Sequence, residues 1–476
     1  MRRGEEYKAT KREGSHPSVA IVLIGFNGAA FLPSCLDSIL CQSYPADEIV
    51  YVDDGSTDDS LRVVERWGLG RVKLVRLPTN QGMCAARNAG AEATRSTLLL
   101  FVDCDNTLPP DYLETMLEDL QGHAFVYPSK RFISSGSDQG LIRHHHPSGI
   151  WTPPEADRAD LWNANYADTC SLIRRSVFLA AGGWVRREVD TWADWDLFLR
   201  ASRLGTHARS RAVLNYRLHA NNNSRKPENA RNADRYRVVR TAAATLSVVT
   251  VYSGRLPGLW FQWLKAVTDS LQRAGKTAEL IVMDASPQGL GSAWMGPPWL
   301  SLQVHRLPGA DAVIRRQDRN ATAEFLAAAF NEALDASRGD IVWCIEDDTI
   351  PPLNACFDML NFMLGGSETK TAVGGCYRSR HQPENWLAAN FDGSTVRHLQ
   401  ELPPNPFPTE LTGTGCLMLL KDALRGLRWE AEWRDSKRRS PAHDWTLSYA
   451  LHKRGEPIWL IPSVVCRHHQ TESDWF

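Results

Sequence analysis

The sequence lacks three features that would each point to a particular class of protein. Its ten cysteines contain no Cys-x-x-Cys pair, which argues against a zinc ribbon or a thioredoxin-like redox site. No apolar stretch reaches the roughly 20 residues that a membrane-spanning helix needs. Lysine and arginine number 54 against 55 acidic residues, a formal net charge of −1. Without a global field for nucleic acid or an acidic membrane, any anionic substrate must be met by local charge.

Length and composition predict a soluble protein of two domains. At 476 residues the chain is too long for one ordinary core. A hydrophobic content of 43% and a charged content of 23% are typical of globular proteins. Residues 1–16 are polar and charged, and we expect a disordered leader there rather than a targeting signal. With no secretory leader in evidence, reduced thiols and a cytoplasmic location are the expectation.

The first half of the chain alternates strand-like and helix-like segments. A near-continuous apolar run, SVAIVLIGFNG (18–28), is typical of a central parallel strand, and EIVYVDDGSTD (48–58) predicts a second one. This alternation predicts a doubly wound α/β sheet, in which ligands bind at the carboxyl ends of the strands. Four carboxylates lie at such predicted ends: Asp53, Asp54, Asp103 and Asp105.

Two of these carboxylates stand one residue apart. Asp103 and Asp105 follow the apolar run 98–102 directly. Like charges this close repel each other unless a cation or a proton lies between them. The pair therefore indicates a cation site, and the alternative is an Asp-rich turn that caps the next helix.

The same pattern then starts again. GDIVWCIEDDTIPP (339–352) echoes LLLFVDCDNTLPP (98–110), and Asn331 precedes Glu346 by the same 15 residues that separate Asn88 from Asp103. The chain therefore resembles a tandem duplication of one α/β domain. We expect domains at 17–224 and 246–476. Between them, the basic segment 225–245 predicts a solvated linker helix, with a phosphate-contacting ridge as the alternative.

Five motifs in the first half occur together and in order: GFNGAAFL (25–32), VDDGSTD (52–58), NQGMCAARNAG (80–90), DCD (103–105) and GGW…ADWDL…H (182–219). Together they resemble the family 2 glycosyltransferases of the GT-A fold, and each repeat is similar to one such domain. The resemblance implies transfer of a sugar from a nucleotide-sugar to an acceptor, with inversion at the anomeric carbon. A nucleoside diphosphate leaving group develops negative charge, which a divalent cation can neutralise.

The resemblance also implies roles for individual residues of the first repeat. The metal, Mn²⁺ or Mg²⁺, would be held by Asp105 and later by His219, whose alternative role is that of a solvated loop histidine. The candidate base is Asp194, with Asp196 as an alternative, although Ala193 replaces a glutamate that the family commonly has there. Nucleotide-sugar contacts are implied for Phe26, Asn27, Asp53, Asp54, Gly82, Arg87 and Asp103.

The second repeat keeps part of this set. Its implied metal ligands are Asp348 and His468, its base is Asp444, and its nucleotide-sugar contacts are Tyr252, Asp284 and Glu346. The position of Arg87 becomes Phe330, and Arg315, Arg316 or Arg319 could supply the lost positive charge. We expect an active second site, and the alternative is a domain kept for binding or assembly.

The resulting hypothesis is a metal-dependent inverting glycosyltransferase with two GT-A domains, bifunctional in glycan synthesis as chondroitin polymerases are. A UDP-sugar is the favoured donor, and a glycan or another hydroxyl-bearing molecule is the acceptor. An alternative has the same chemistry on hydroxymethylated bases of DNA, gripped by the linker and by Arg434, Lys437, Arg438 and Arg439. A third reading is a carbohydrate-binding protein with inactive sites.

Overall fold

The computed structural model describes residues 17–68, 70–134, 148–186, 192–219, 222, 233–290, 296–297, 299–307, 319–379, 382–392, 395–431, 433–435, 438–440 and 443–471. The predicted leader 1–16 and the first part of the predicted linker, residues 225–232, lie outside this set. The chain divides into two compact units, Met1–Arg231 and Asn232–Phe476. Each unit is considered by itself below.

The first unit is built on one mixed sheet. Its strands are β1 (Val19–Gly25), β2 (Glu48–Asp53), β3 (Lys73–Arg76), β4 (Leu98–Asp103), β5 (Phe125–Ser134), β6 (Ile150–Trp151), β7 (Leu172–Arg174) and β8 (His207–Leu218). Its helices are α1 (Leu32–Leu40), α2 (Ser60–Trp67), α3 (Met83–Glu92), α4 (Tyr112–Asp119), α5 (Arg158–Leu161), α6 (Arg175–Ala180) and α7 (Ala193–Ala201). The strand order is β3-β2-β1-β4-β7-β5-β6, and β8 also pairs with β5.

The centre of this sheet follows from the apolar runs of the sequence. All seven residues of β1 are buried, because the strand lies between two parallel neighbours, β2 and β4, and has both faces covered. Helix α3 packs unusually close to this strand. A Cβ atom on Gly90 would lie 2.2 Å from Cγ1 of Val22, so only glycine permits this approach. The helix therefore holds its amino end beside the carboxyl edge of the sheet.

The second unit repeats the arrangement. Its strands are β9 (Leu246–Tyr252), β10 (Ala278–Asp284), β11 (Ser301–Arg306), β12 (Ile341–Ile345), β13 (Thr349–Ile350), β14 (Ala372–Cys376), β15 (Ala388–Asp392), β16 (Thr395–His398), β17 (Phe407–Thr409), β18 (Leu411–Thr412), β19 (Cys416–Leu420), β20 (Trp433–Asp435), β21 (Arg438–Ser440), β22 (Ile458–Val465) and β23 (Arg467–His468). Its helices are α8 (Ala233–Ala243), α9 (Trp260–Arg273), α10 (Arg319–Ala336), α11 (Ala355–Leu364) and α12 (His443–Lys453).

The main sheet of the second unit runs β11-β10-β9-β12-β19-β14-β22-β17. Taken in this order across the sheet, its first seven strands occupy the positions of β3, β2, β1, β4, β7, β5 and β8 in the first unit, with the same parallel and antiparallel partners. The predicted fold class, two tandem α/β units with mostly parallel sheets flanked by helices, is therefore confirmed.

Helix α8, which lies in the predicted linker, packs against the second unit. The guanidinium of Arg240 is buried and donates hydrogen bonds to the carbonyl oxygens of Leu364 (3.1 Å), Gly366 (3.0 Å) and Ser367 (3.1 Å) at the end of α11. A buried cation on the free carbonyls of a helix end satisfies groups that would otherwise lack partners. The bounds of independently folding domains stay a prediction. Among the described residues, none of the helices combines the length and the apolar character that crossing a bilayer requires.

Candidate active sites at the carboxyl edges of two sheets

In the first unit the predicted carboxylates meet at one edge of the sheet. In the parallel register, Gly25 of β1 lies beside Asp53 of β2, and Ile24 lies beside Asp103 of β4. The strands thus end together, as the sequence predicted. The loops that follow them carry the remaining site residues.

Asp103 is held by an arginine. Nη2 of Arg87 lies 2.7 Å from Oδ1 of Asp103, and the guanidinium also lies 4.6 Å from the ring centre of Trp184. The Arg87 side chain is only 4% exposed. Burial raises the pKa of the Asp103 carboxyl, Arg87 opposes the rise, and Asp105 adds to it. Without a ligand, Arg87 is therefore the counter-ion of Asp103.

The two predicted metal ligands of the first unit lie together. Nε2 of His219 is 3.1 Å from Oδ2 of Asp105. The main-chain amide of His219 donates to Oδ1 of Asn222 at 2.6 Å, and Nε of Arg217 donates to the main-chain oxygen of Asp105 at 2.9 Å. These contacts fix the loop and the histidine relative to each other. A carboxylate oxygen beside an imidazole nitrogen is a donor set that fits Mn²⁺, and Mg²⁺ less well.

The two neighbouring aspartates after β2 have different surroundings. Both oxygens of Asp54 are occupied, because they accept hydrogen bonds from the amides of Gln81 (2.7 Å) and Gly82 (2.9 Å). Asp53 accepts at Oδ2 from the amide of Ser56 (3.2 Å), whereas its buried Oδ1 has no hydrogen-bond partner among the described residues. A buried carboxylate oxygen without a partner indicates a ligand group that would supply a donor. Asp54 instead holds the loop ahead of α3.

The loop after β1 lies beside the segment that follows β2. Asn27 adopts a left-handed backbone conformation with φ of 52°, which asparagine tolerates better than most residues. Its Oδ1 accepts from the amide of Thr57 at 2.8 Å, which ties the loop to the segment after β2. The preceding Phe26 is 48% exposed. An exposed ring at the edge of a polar pocket offers a surface for stacking.

The candidate base lies in the first turn of α7. Burial raises the pKa of the Asp194 carboxyl, the Asp168 carboxylate raises it further, and Lys130 lowers it. Its Oδ1 accepts from the amide of Trp195 at 2.8 Å. The alternative, Asp196, is fully buried and lies 2.6 Å from Nη2 of Arg200.

An ion pair that no sequence pattern indicates lies near Asp194 and is largely buried. Nζ of Lys130 lies 2.5 Å from Oδ2 of Asp168, between the rings of Trp151 (5.2 Å) and Tyr216 (5.3 Å). No motif marks either charged residue. Arg217 was not predicted either. It stands two residues before His219, and residues two apart on an extended segment point to the same face.

The second unit gathers three candidate metal ligands. Donor atoms of Glu346, Asp348 and His468 lie within 4.8 Å of one another. Nδ1 of His468 is 2.8 Å from the main-chain oxygen of Arg378, and since a carbonyl oxygen can only accept, that nitrogen carries the proton. The lone pair is then on Nε2, which lies 3.5 Å from Oδ1 of Asp348. Fixing the tautomer through the second ring nitrogen is usual for histidines that bind metals.

Two further charged groups adjoin this cluster. Asp347 accepts at Oδ2 from both the amide and the hydroxyl of Ser253, each at 2.8 Å, and burial, with the Asp348 charge, raises the pKa of its carboxyl to about 6. Nη2 of Arg255 lies 2.5 Å from Oδ2 of Asp348. Nothing in the sequence had marked Arg255 as a site residue.

The aspartate that ends the second strand has different partners in the two units. Asp284 accepts at Oδ1 from the amide of Ser286 (3.0 Å) and at Oδ2 from the amide of Leu290 (2.7 Å) and Nη1 of Arg306 (2.8 Å). Burial acts to raise the pKa of Asp284, but these hydrogen bonds outweigh it and lower the pKa. Tyr252 is 8% exposed, and its ring centre lies 4.9 Å from that of Trp260.

One structural contact is the same in both units. Nδ2 of Asn88 donates to the oxygen of Trp184 at 2.8 Å, and its Oδ1 accepts from the amide of Trp184 at 3.0 Å. Asn331 and Trp429 form the same pair of bonds at 2.8 and 3.0 Å. Phe330, at the position of Arg87, stacks on Trp429 with ring centres 5.3 Å apart.

Several predicted residues lie outside what the structure describes. These are the side chains of Asp444, Arg319, Arg434, Arg438 and Arg439, and the whole of Arg315, Arg316 and Lys437. Their roles stay predictions.

Comparison with known proteins gives the first unit its family. The family model of glycosyl transferase family 2 matches residues 20–180. An uncharacterized glycosyltransferase of Haemophilus influenzae is 38% identical over 110 residues, 22% of this chain and 44% of that protein. Chondroitin synthase of Pasteurella multocida is 29% identical over 224 residues, 45% of this chain and 22% of that protein.

Among solved structures, residues 1–349 of S. aureus TarS in complex with UDP-GlcNAc align with a TM-score of 0.37 and 17% identity, over 48% of this chain and 66% of that one. The chain spans less than half the length of the two sequence relatives. The predicted family is confirmed for the first unit: residues 20–180 form a domain of glycosyl transferase family 2.

Proposed function

We propose that the first unit transfers a sugar from a nucleotide-sugar to a hydroxyl group of an acceptor, with inversion at the anomeric carbon. The observation that carries this proposal is the convergence of Asp53, Asp103 and the Asp105–His219 pair at one sheet edge of a family 2 domain. A UDP-sugar is the favoured donor. The open Oδ1 of buried Asp53 supports a nucleotide donor group, a base N–H or a ribose hydroxyl, at that point.

The residues that would hold a divalent cation are Asp105 and His219, with Asp103 beside them. When bound, Mn²⁺ or Mg²⁺ stabilises the negative charge that develops on the nucleoside diphosphate as it leaves. Arg87 adds a second positive charge on the same side, buried and stacked on Trp184. Asp105 and His219 are held close by the bonds around them, so little reorganisation is needed to bind the ion.

Asp194 is proposed as the general base. An acceptor hydroxyl must lose its proton as it attacks, and a carboxylate whose pKa is raised towards neutrality accepts that proton more readily. Asp196 is unsuited to the role because it is fully buried against Arg200. A single carboxylate suffices for direct displacement, since the nucleoside diphosphate leaves as an anion that a bound cation would stabilise and so needs no general acid.

For the second unit we propose a second transfer activity, so that the chain adds sugars at two sites during glycan synthesis. The cluster of Glu346, Asp348 and His468, with its fixed histidine tautomer, supports this. All ten cysteines are free, which supports the cytoplasm as the place of the reaction.

A binding panel tests the proposal for donor and metal together. Thermal unfolding is followed with Mn²⁺ and, in turn, UDP-, GDP- and dTDP-sugars, with EDTA as the matched control. We expect a UDP-sugar to raise the unfolding temperature only when Mn²⁺ is present, since ligands that bind the folded state stabilise it. The absence of any metal-dependent shift with all three donor classes, together with no hydrolysis of them, would refute the proposed activity.

A further inference from the structure

Arg255 occupies the carboxylate that the second site would use for a cation. The contact of 2.5 Å joins Nη2 of Arg255 to Oδ2 of Asp348, whose side chain is 5% exposed. The Arg255 side chain is itself 44% exposed. One end of this ion pair is thus fixed in the protein, while the other end reaches solvent and has room to move.

The place of Arg255 in the fold is informative. Tyr252, the last residue of β9, pairs with Asp284, as Gly25, the last residue of β1, pairs with Asp53. Arg255 therefore stands in the loop that corresponds to the Asn27 loop of the first unit. In the first unit that loop is tied to the segment after β2 by the bond from the Thr57 amide to Asn27.

The two units place their arginines differently. In the first unit Arg87, on helix α3, holds Asp103, the first carboxylate of the motif. In the second unit Phe330 takes that helix position, and the arginine comes from a loop to the last carboxylate, Asp348. The positive charge missing from the helix is therefore present at the site, but it comes from a loop and is more exposed.

A cation at this cluster and Arg255 would lie on the same carboxylate, since Arg255 contacts Oδ2 of Asp348 and His468 faces Oδ1. An ion held by Glu346, Asp348 and His468 would share the Asp348 carboxylate with the Arg255 guanidinium, and two like charges at this distance repel. A nucleoside diphosphate offers the guanidinium an alternative partner. Planar guanidinium groups bind phosphate oxygens in a bidentate manner, with charge-assisted hydrogen bonds on both sides.

We propose that Arg255 couples metal binding to nucleotide binding at the second site: without nucleotide it neutralises Asp348, and with nucleotide it moves to the diphosphate and leaves Asp348 to the cation. This inference rests on the proposed function of the second unit. Because coupling between two ligands is reciprocal, each ligand must raise the affinity for the other. Arg255 is a positioning residue for the cation and a direct contact for the diphosphate.

The test uses the full chain with Asp105→Ala and His219→Ala, which suppress the first site. Mn²⁺ binding is titrated by electron paramagnetic resonance, with and without UDP, in this background and with Arg255→Ala or Arg255→Lys added. The matched control is Arg428→Ala, because Arg428 is likewise 44% exposed and likewise holds one carboxylate, Asp335 at 2.9 Å.

Arg255→Ala is expected to act in opposite directions on the two ligands. Mn²⁺ alone should bind about 10-fold more tightly, because the competing charge is gone. UDP in the presence of Mn²⁺ should bind about 10-fold more weakly, because the guanidinium no longer reaches the diphosphate, so the factor by which each ligand raises the affinity for the other falls about 10-fold. Arg255→Lys should lie between, since lysine keeps the charge and loses the fork. Arg428→Ala should change neither affinity.

Failure of the inference about Arg255 and failure of the function proposed for the second unit would give different results. If Arg255→Ala lowers the affinity for Mn²⁺ in the absence of UDP, or leaves both affinities unchanged, the inference is wrong, while the proposed second site, which rests on Glu346, Asp348 and His468, is unaffected. A merely structural role would weaken both ligands together and would also count against it. If neither Mn²⁺ nor UDP binds the second unit in any variant, the proposed function of that unit fails and the inference fails with it.

Discussion

The two units carry the same sheet with different charges at its edge. Their strand orders correspond, and the Asn88–Trp184 pair recurs as Asn331–Trp429 with the same bond lengths. The difference lies in the countercharges and in the aspartate after the second strand: Asp53 has one buried oxygen without a partner among the described residues, whereas Asp284 is closed off by Arg306.

The two units share the features that fix the topology of the sheet. Backbone pairing and buried side-chain contacts fix the topology, because a loss there costs stability throughout the unit. At the ligand side, both units keep an arginine beside a carboxylate of the metal motif, but they take it from different elements. An arginine can therefore move from a helix to a loop while the total charge at the site is retained.

The largest expected effect follows from removing a metal ligand. Asp105→Ala should abolish Mn²⁺-dependent nucleotide-sugar binding at the first site, a loss of at least about 100-fold in affinity, while the fold is unchanged. Asp59→Ala is the matched control, since the Asp59 side chain is 71% exposed and, among the described residues, forms an ion pair with Arg62 alone. Calorimetric titration measures the loss, and unchanged Mn²⁺-dependent turnover at the first site would count against the assignment.

The next effect is on turnover. Asp194→Asn and Asp444→Asn should each reduce one transfer activity by about 10²–10⁴-fold, with little change in nucleotide-sugar affinity, because an amide cannot accept a proton but keeps the size of the side chain. The two variants should stop at different products, as mass spectrometry of the glycans can show.

If Asp444→Asn changes no product while Asp194→Asn abolishes all transfer, the second unit is a binding domain and the bifunctional proposal fails. Asp196→Asn offers no clean control, since it would break the buried pair with Arg200.

A smaller effect concerns pH. Burial raises the pKa of Asp194, Asp168 raises it further, and Lys130 lowers it. The base works only when deprotonated, so transfer should fall as the pH drops through this raised pKa, at a higher pH than for an ordinary aspartate. Lys130→Met should move the acidic limb of the kcat profile up by about one pH unit, and Asp168→Asn should move it down by a similar amount.

If the acidic limb of the kcat profile lies at the same pH in both variants as in the wild type, Asp194 is not the group that titrates. Circular dichroism over the same pH range separates loss of the base from loss of the fold, because both substitutions break the buried Lys130–Asp168 pair.

The smallest effect tests where the second unit begins. Arg240→Ala should lower the free energy of unfolding of the second unit by about 1–3 kcal/mol, because three carbonyl groups at the end of α11 and just after it, one of them buried, lose their donor. Denaturant unfolding measures it, with exposed Arg273→Ala as the control. An unchanged midpoint would mean that helix α8 is a solvated linker, as the sequence predicted.

The sequence predicted the sheets well, for physical reasons. Continuous apolar runs such as Val19–Gly25 and Ile341–Ile345 form central strands that are buried throughout, each with at least one parallel neighbour, so the carboxylates at the ends of parallel strands lie at one edge of the sheet. The pairing of Asp105 with His219 could be expected only through the family resemblance, since the two residues are far apart in the chain.

The countercharges could not be predicted. Lys130 with Asp168, and Arg255 with Asp348, are brought together by strand register and loop conformation, and no local pattern marks them. The sequence places Arg240 in a basic segment, and charged segments of this kind are usually exposed to solvent. Its burial depends on the exposed carbonyl groups at the end of α11, more than 100 residues away.

The stoichiometry of nucleotide binding tests the central claim, two metal-dependent nucleotide sites on one chain, most directly. Equilibrium dialysis of UDP in the presence of Mn²⁺ should give about two molecules bound per chain, falling to about one in Asp105→Ala and to about one in Asp348→Ala. With EDTA, binding should be lost at both sites. One molecule per chain in the wild type, unchanged by Asp348→Ala, would contradict the account and leave the second unit without a nucleotide site.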